Sequence, residues 1–281
     1  IRIPAAYCGC VGFKASYGLV SNRGVTPACD ALDHVGPLAR TVNDAALVLR
    51  VLADPDPGWP GSAAPPAHWS PLPADLPDLS GIRLGLGGAV ERWDMGAAVR
   101  QGFVAAVGML HRLGASVETL EIPDFEPTAA RRAGLLWIEA AAAHTHKADL
   151  ASHPDVYPDS IRAMLDYGQS ASAARLAGAQ DMVQRVGAGF VQALDAVDAL
   201  VMPVSPQPAF SFDGPAPASQ AEFAAPANFA GLPAVALPSG ILADGLPLSL
   251  QWVGRKFAEA HLLAIARVFE RVVAFDRRPS L

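Results

Sequence analysis

The sequence predicts an α/β fold, a mixed central β-sheet flanked by helices on both faces, and three observations carry that expectation. Short runs of period-2 apolar alternation are separated by longer stretches of helical periodicity. Two of those runs enclose one helix as a β-α-β unit. Of the 281 residues 51% are hydrophobic, enough to bury a sizeable core.

Taken in order, the first helix signal is Thr41 with Asp44 three residues on, a capping-box-like start. Val42, Ala45, Ala46, Leu49 and Leu52 then recur at helical spacing. Residues 54–80 hold eight prolines, too many for a regular element, and are expected to form a loop within the domain. Ile82, Leu84 and Leu86 alternate with Arg83 and Gly85 as a strand does. Val99, Phe103, Val107 and Leu110 form one helix face, and Val117 to Ile122 return as a second strand, so the two strands should be parallel. Residues 128–198 are rich in alanine, leucine and arginine and are expected to be several helices packed on the sheet. Ala199 to Pro203 reads as a buried strand that leads into a proline-marked loop. Val235 to Leu237, and Leu248, Leu250 and Trp252, read as adjacent strands with Asp244-Gly245 turning between them. A last helix has Leu262, Ile265, Ala266, Phe269 and Val272 as its core face.

Composition narrows the function. A net charge of -6 without any block of like charges disfavours nucleic acid and anionic membrane as partners. No run of about 18 apolar residues exists to span a bilayer. Cys8, Cys10 and Cys29 are an odd number in a chain of this size, which points to a reducing, cytoplasmic location. In an extended strand Cys8 and Cys10 would face opposite ways, so they read as two small half-buried residues and not as a metal pair. His144 and His146, two apart on a helix, point roughly 200° apart, so they read as a solvated polar face and no metal is expected. Gly85-Leu86-Gly87-Gly88 resembles the start of a dinucleotide fingerprint, but Val90 stands where its third glycine belongs, and no cofactor is expected. Asp33-His34 is not a triad by spacing alone, since neighbouring side chains point apart, and His34 reads as structural. There is no G-x-S-x-G elbow and no Walker loop. The opening Ile1 follows no methionine and no leader, so the sequence is expected to begin within a longer protein.

Two blocks of residues carry a resemblance. Ile1-Arg2-Ile3-Pro4-Ala5-Ala6-Tyr7-Cys8-Gly9, Gly12-Phe13-Lys14-Ala15-Ser16-Tyr17-Gly18 and Leu32-Asp33-His34-Val35-Gly36-Pro37-Leu38-Ala39-Arg40-Thr41 make up the first. The second is Pro226-Ala227-Asn228-Phe229-Ala230-Gly231-Leu232-Pro233-Ala234, followed by Gly245 to Gly254. They resemble the segment after the nucleophile, and the C-terminal strands, of the amidase signature family.

The resemblance implies that residues 1–281 are the C-terminal portion of a single amidase domain, with the 54–80 loop inside it, and that the fold is incomplete on its N-terminal side. It implies a Ser-Ser-Lys mechanism in which the reactive serine would precede Ile1, while a bridging serine and a lysine held neutral by burial lie further upstream. None of the three would be in this chain, which alone is expected to be inactive. Arg2, Phe223, Ala224, Ala227, Asn228 and Phe257 are the substrate-pocket candidates it implies. Of these, Arg2 is weighed mainly as an anchor for loop carbonyls. Lys14 is read as a structural ion-pair or carbonyl partner. The partner expected is a small amide, and a homodimer is compatible with the fold.

Cys10 departs from the family pattern, and Ala15-Ser16 replaces a proline-threonine pair; both read as packing changes. Glutamine-using members carry an acidic residue shortly before the proline of the second block, a place Ala221 and Glu222 leave equivocal. The functions expected are thus an amidase, a glutaminase subunit of a tRNA-dependent amidotransferase, or a non-catalytic scaffold on the same fold.

Overall fold

A computed structural model describes residues 1–88 and 92–277, so Val90 lies outside the described residues. In chain order the elements are α1 (Arg2–Cys8), β1 (Val11–Lys14), β2 (Leu38–Ala39), α2 (Val42–Leu52), β3 (Arg83–Gly87), α3 (Ala97–Arg112) and β4 (Ser116–Leu120). Then come α4 (Pro127–Thr145), α5 (Lys147–Ser152), α6 (Asp159–Ser170), α7 (Ala173–Ala193), β5 (Ala199–Pro203), α8 (Ala225–Phe229), β6 (Ala234–Ile241), β7 (Pro247–Val253) and α9 (Glu259–Val273). Among the described residues the strands form one sheet in the order β2-β1-β6-β7-β5-β3-β4. β3 pairs in parallel with β4 and with β5, and the remaining pairs are antiparallel, so the sheet is mixed.

Helices cover both faces, and the pleat shows how. Along β6, Ala236 packs with Ile3 and Ala6 of α1, whereas its neighbours Val235 and Leu237 join the main core. On β7, Trp252 meets Phe269 of α9 with ring centroids 5.0 Å apart, while the adjacent Gln251 points back toward α1. The two faces therefore belong to α1 and α9 respectively.

The expected β-α-β unit is present as β3-α3-β4, with Leu84 opposite Val117. Thr41 caps α2, its Oγ1 accepting from the Asp44 N–H at 3.0 Å. The proline-rich 54–80 segment is irregular and is held down along its length. Ala63 N donates to Gly18 O and Leu79 N to Leu113 O, while Arg267 and Arg271 both reach Asp75.

The structure adds to and changes several readings. Residues 2–8, for which the sequence showed no element, are helical: Pro4 stands in the first turn, where its missing N–H costs nothing, and Gly9 closes the helix at φ 64°. Cys8 ends that helix exposed, and Cys10 follows the turn partly buried. His146 is not a solvated group, because its ring nitrogens contact Tyr157 Oη and Pro27 O, each at 3.1 Å, which ties the helical middle to the 21–37 loop. On α9, Val272 is half exposed, and Leu263 and Val268 are buried in its stead. The middle helices also pack on one another: α4 lies against α6 and α7, with a small apolar cluster of their own around Leu136 and Val183.

No helix among the described residues is long and apolar enough to cross a membrane.

Candidate active site

Arg2 is placed by α1, whose first turn lies over the sheet, and its side chain is 5% exposed. A buried guanidinium requires acceptors, and three converge on it. Nη1 donates to Gln251 Oε1 of β7 at 2.5 Å. Nη2 donates to Ala224 O at 2.6 Å and to Asn228 Oδ1 of α8 at 2.5 Å. Burial pulls its pKa down to about 9, which leaves it charged at neutral pH. Gln251 is held in turn: its Nε2 donates to Pro203 O at 3.1 Å and to Phe223 O at 2.6 Å. One charge thus ties α1 to β7, β5, α8 and the strand-to-helix loop between them.

A second cluster adjoins the first. His34 Nδ1 lies 2.9 Å from Leu32 O, and a carbonyl only accepts, so Nδ1 carries the proton and Nε2 is free to accept. Lys14 Nζ donates to Nε2 at 3.2 Å and also to Ala15 O at 3.0 Å, which makes it a carbonyl partner. Asn228 Nδ2 donates to the same Leu32 carbonyl at 2.8 Å. Desolvation, and then the nearby Arg2 charge, hold Lys14 well below its usual pKa; desolvation, then Lys14, do the same to His34. Asp33 turns away, its Oδ2 accepting from the N–H groups of Ala28 and Cys29.

These clusters line a cavity of about 350 Å³. Arg2, Lys14, His34 and Asn228 form its polar end with Ile1 beside them, and Ile138, Ala221, Ala224 and Phe229 supply apolar wall. Of the pocket candidates taken from the sequence, the structure brings Arg2, Ala224 and Asn228 together there. Phe223 is buried instead, stacked on Trp93 with centroids 4.8 Å apart. Ala227, within α8, is buried and does not line the cavity. Phe257 belongs to a separate network at the start of α9. Its N–H donates to Ser16 Oγ at 2.8 Å, Ser16 N and Oγ donate to Glu259 Oε1, and Trp69 Nε1 donates to Glu259 Oε2 at 2.8 Å. The serine at position 16 is therefore a hydrogen-bonded link and more than a packing change.

Sequence reasoning missed Gln251, Lys14 and His34 as parts of this cavity's surroundings. Gln251 left one signal: a glutamine between Leu250 and Trp252 in a strand whose end is buried on both faces. Glu222, next to the cavity-lining Ala221, points elsewhere, accepting from Thr128 Oγ1 at 3.0 Å and pairing with Arg131 at 3.4 Å. Among the described residues no group of three or more His, Cys, Asp or Glu side chains could hold a metal ion.

Comparison with known proteins adds the following. The family model described as Amidase matches residues 1–263. A glutamyl-tRNA(Gln) amidotransferase subunit from Synechococcus sp. (strain JA-2-3B'a(2-13)) is 32% identical over 314 aligned positions, which cover 100% of this chain and 60% of the relative. Among solved structures, the corresponding glutamyl-tRNA(Gln) amidotransferase subunit of Thermotoga maritima superposes with a TM-score of 0.80 at 27% identity, covering 96% of this chain and 60% of that one. A bacterial aryl acylamidase of the amidase signature enzymes gives 0.81 at 25% identity, with the same two coverages. The chain thus spans about three fifths of the length of such relatives.

Proposed function

This chain belongs to the amidase signature family, and from that premise we propose that the whole protein hydrolyses a small carboxamide to a carboxylate and ammonia through a serine acyl-enzyme. The observation that carries the reading is the position of Ile1: it lines the cavity beside Arg2 and Asn228. By the family's pattern the nucleophilic serine is bonded to its amino end, so that serine would stand at the cavity's edge. Its hydroxyl adds to the amide carbonyl, the proton passes through the bridging serine to a neutral lysine, and ammonia leaves with a proton. Water then cleaves the acyl-enzyme, and the carboxylate departs. Within this chain Arg2 is a positioning residue, its donors occupied by Gln251, Ala224 and Asn228. Ala221 and Ala224 project little into the cavity and leave room beside Arg2 for the side chain of an amide.

A fluorophosphonate probe tests this. The full-length protein is expected to label at the residue before Ile1, and the 281-residue chain alone to stay unlabelled. Labelling of the short chain, or an unlabelled full-length protein, would overturn the reading.

A second reading, the glutaminase subunit of a tRNA-dependent amidotransferase, is favoured by the name of the 32% identical relative. Against it, Ala221 faces the cavity while the adjacent carboxylate, Glu222, is occupied by Thr128 and Arg131. Ammonia release from glutamine that rises when a partner subunit is added would favour this second reading. Should the residue before Ile1 not be serine, a non-catalytic scaffold is the reading left.

A further inference from the structure

Away from the cavity at Ile1, α4, α6 and α7 form an open groove of about 690 Å³. Its floor is apolar, with Leu136, Ala179 and Met182 drawn from the cluster that these helices form among themselves. Arg132, Leu136 and Glu139 stand at i, i+4 and i+7 on α4, so all three share one helix face. Arg175 sits across the groove on α7, its guanidinium 5.0 Å from the Tyr167 ring centroid and hydrogen-bonded to Tyr167 Oη.

Glu139 is the unusual member. It is 9% exposed, and among the described residues its carboxylate makes no hydrogen bond and no ion pair. The unpaired side-chain polar atoms that are fully enclosed belong to Ser249, Trp252 and Arg267, so the Glu139 carboxylate keeps an opening, and the cavity it lines supplies one. Burial raises its pKa, and the charge of Arg175 partly offsets the rise. The recessed carboxylate has no hydrogen-bond donor of its own, and a cationic group delivered by a ligand through the opening would supply one. Arg132 and Arg175, both exposed, lie on the cavity's wall and supply the opposite charge.

We propose that this groove binds a small zwitterion with an apolar side chain, an α-amino acid such as leucine. Its ammonium pairs with Glu139, its carboxylate meets Arg132 and Arg175, and its side chain rests on Leu136, Ala179 and Met182. Three features fit this one class: a recessed carboxylate that accepts no hydrogen bond, two cations on the same wall, and an apolar floor. The site is separate from the cavity at Ile1 and does not depend on the reaction assigned there.

The test is isothermal titration of the full-length protein with L-leucine, with isocaproate, which lacks the ammonium, and with isoamylamine, which lacks the carboxylate. Leucine is expected to bind, and each analogue to bind about tenfold or more weakly. Glu139→Gln should weaken leucine to a similar degree. Gly178→Phe is the second variant: a Cβ at Gly178 meets nothing within 4 Å, so the ring enters the groove without displacing the helix. It should abolish binding at an unlowered melting temperature. Failure of leucine to bind, or binding unchanged in Gly178→Phe, overturns the proposal whatever Glu139→Gln does to folding.

Discussion

Arg2 and Glu259 are both buried ions, 5% and 0% exposed, and each gathers hydrogen bonds from distant parts of the chain. Their surroundings differ. Glu259 receives Ser16 and Trp69, and Ser16 in turn accepts from Phe257, so that anion joins the end of β1, the proline-rich loop and the start of α9. Arg2 also joins several elements, yet one side of its network is the wall of a cavity, and Lys14 and His34 beside it are held below their usual pKa values. The same device, a desolvated charge with every partner supplied, serves in one place to fasten a loop and in the other to fix the geometry of an opening. The two should part company under mutation: damage at Arg2 should reach catalysis, and damage at Glu259 should reach stability alone.

The largest effect is expected at Arg2. Arg2→Met removes three charge-assisted hydrogen bonds and leaves the acceptors Gln251 Oε1 and Asn228 Oδ1 without their donor. Stability should fall by about 3 kcal/mol. In the full-length protein kcat/KM should fall by about a hundredfold, because the elements framing the cavity lose their common tie. Chemical denaturation and steady-state kinetics measure the two separately. Wild-type kinetics in the folded variant would remove the contrast with Glu259.

Glu259→Gln comes next. It keeps one acceptor oxygen but loses the charge that draws Ser16 Oγ to 2.5 Å, so about 2 kcal/mol of stability should go while kcat/KM per folded molecule stays near wild type. Ser16→Ala should cost about 1–2 kcal/mol, since both Phe257 N and Glu259 lose a partner, and Ser16→Thr should restore most of it by returning the hydroxyl. Equal losses in the alanine and threonine variants would show that the methyl fit, and not the hydrogen bond, matters at this position.

How much of this could be read beforehand depends on the range of the interaction. The β3-α3-β4 unit and the β6-β7 pair were legible because each is written in local periodicity with a turn or a helix between. The α1 helix was not, since seven residues are too few to show a period, and only Pro4 and Gly9 mark its ends. Arg2, Ala224 and Asn228 were reached through family resemblance, and the cavity does collect them. Lys14 and His34 meet because the chain doubles back between β1 and β2, and no spacing rule links residues twenty apart across an irregular loop. Gln251 was hidden for the opposite reason: strand alternation assigns it to the side away from Leu250 and Trp252, and only the covering α1 turns that side into an interior.

The smallest expected effect concerns the titration of His34. Its folded-state pKa lies well below the usual 6.5, so between those two values the unfolded chain binds a proton that the folded chain does not. Stability then rises with pH through that window, and it is lost as the solution is acidified from 6.5 downward. Lys14 pulls in the same direction over a window that runs down from 10.5, and because both proteins keep Lys14, the difference between them is assigned to the histidine. His34→Gln should therefore show a shallower decline of stability on the acid side, by at most about 1.4 kcal/mol per pH unit, the slope of one proton. Carboxylates elsewhere titrate alike in both proteins and cancel from the difference. Parallel acid limbs for the two proteins would mean that His34 takes up its proton as readily folded as unfolded, and the cluster beside Arg2 would then be as inert to pH as any exposed histidine.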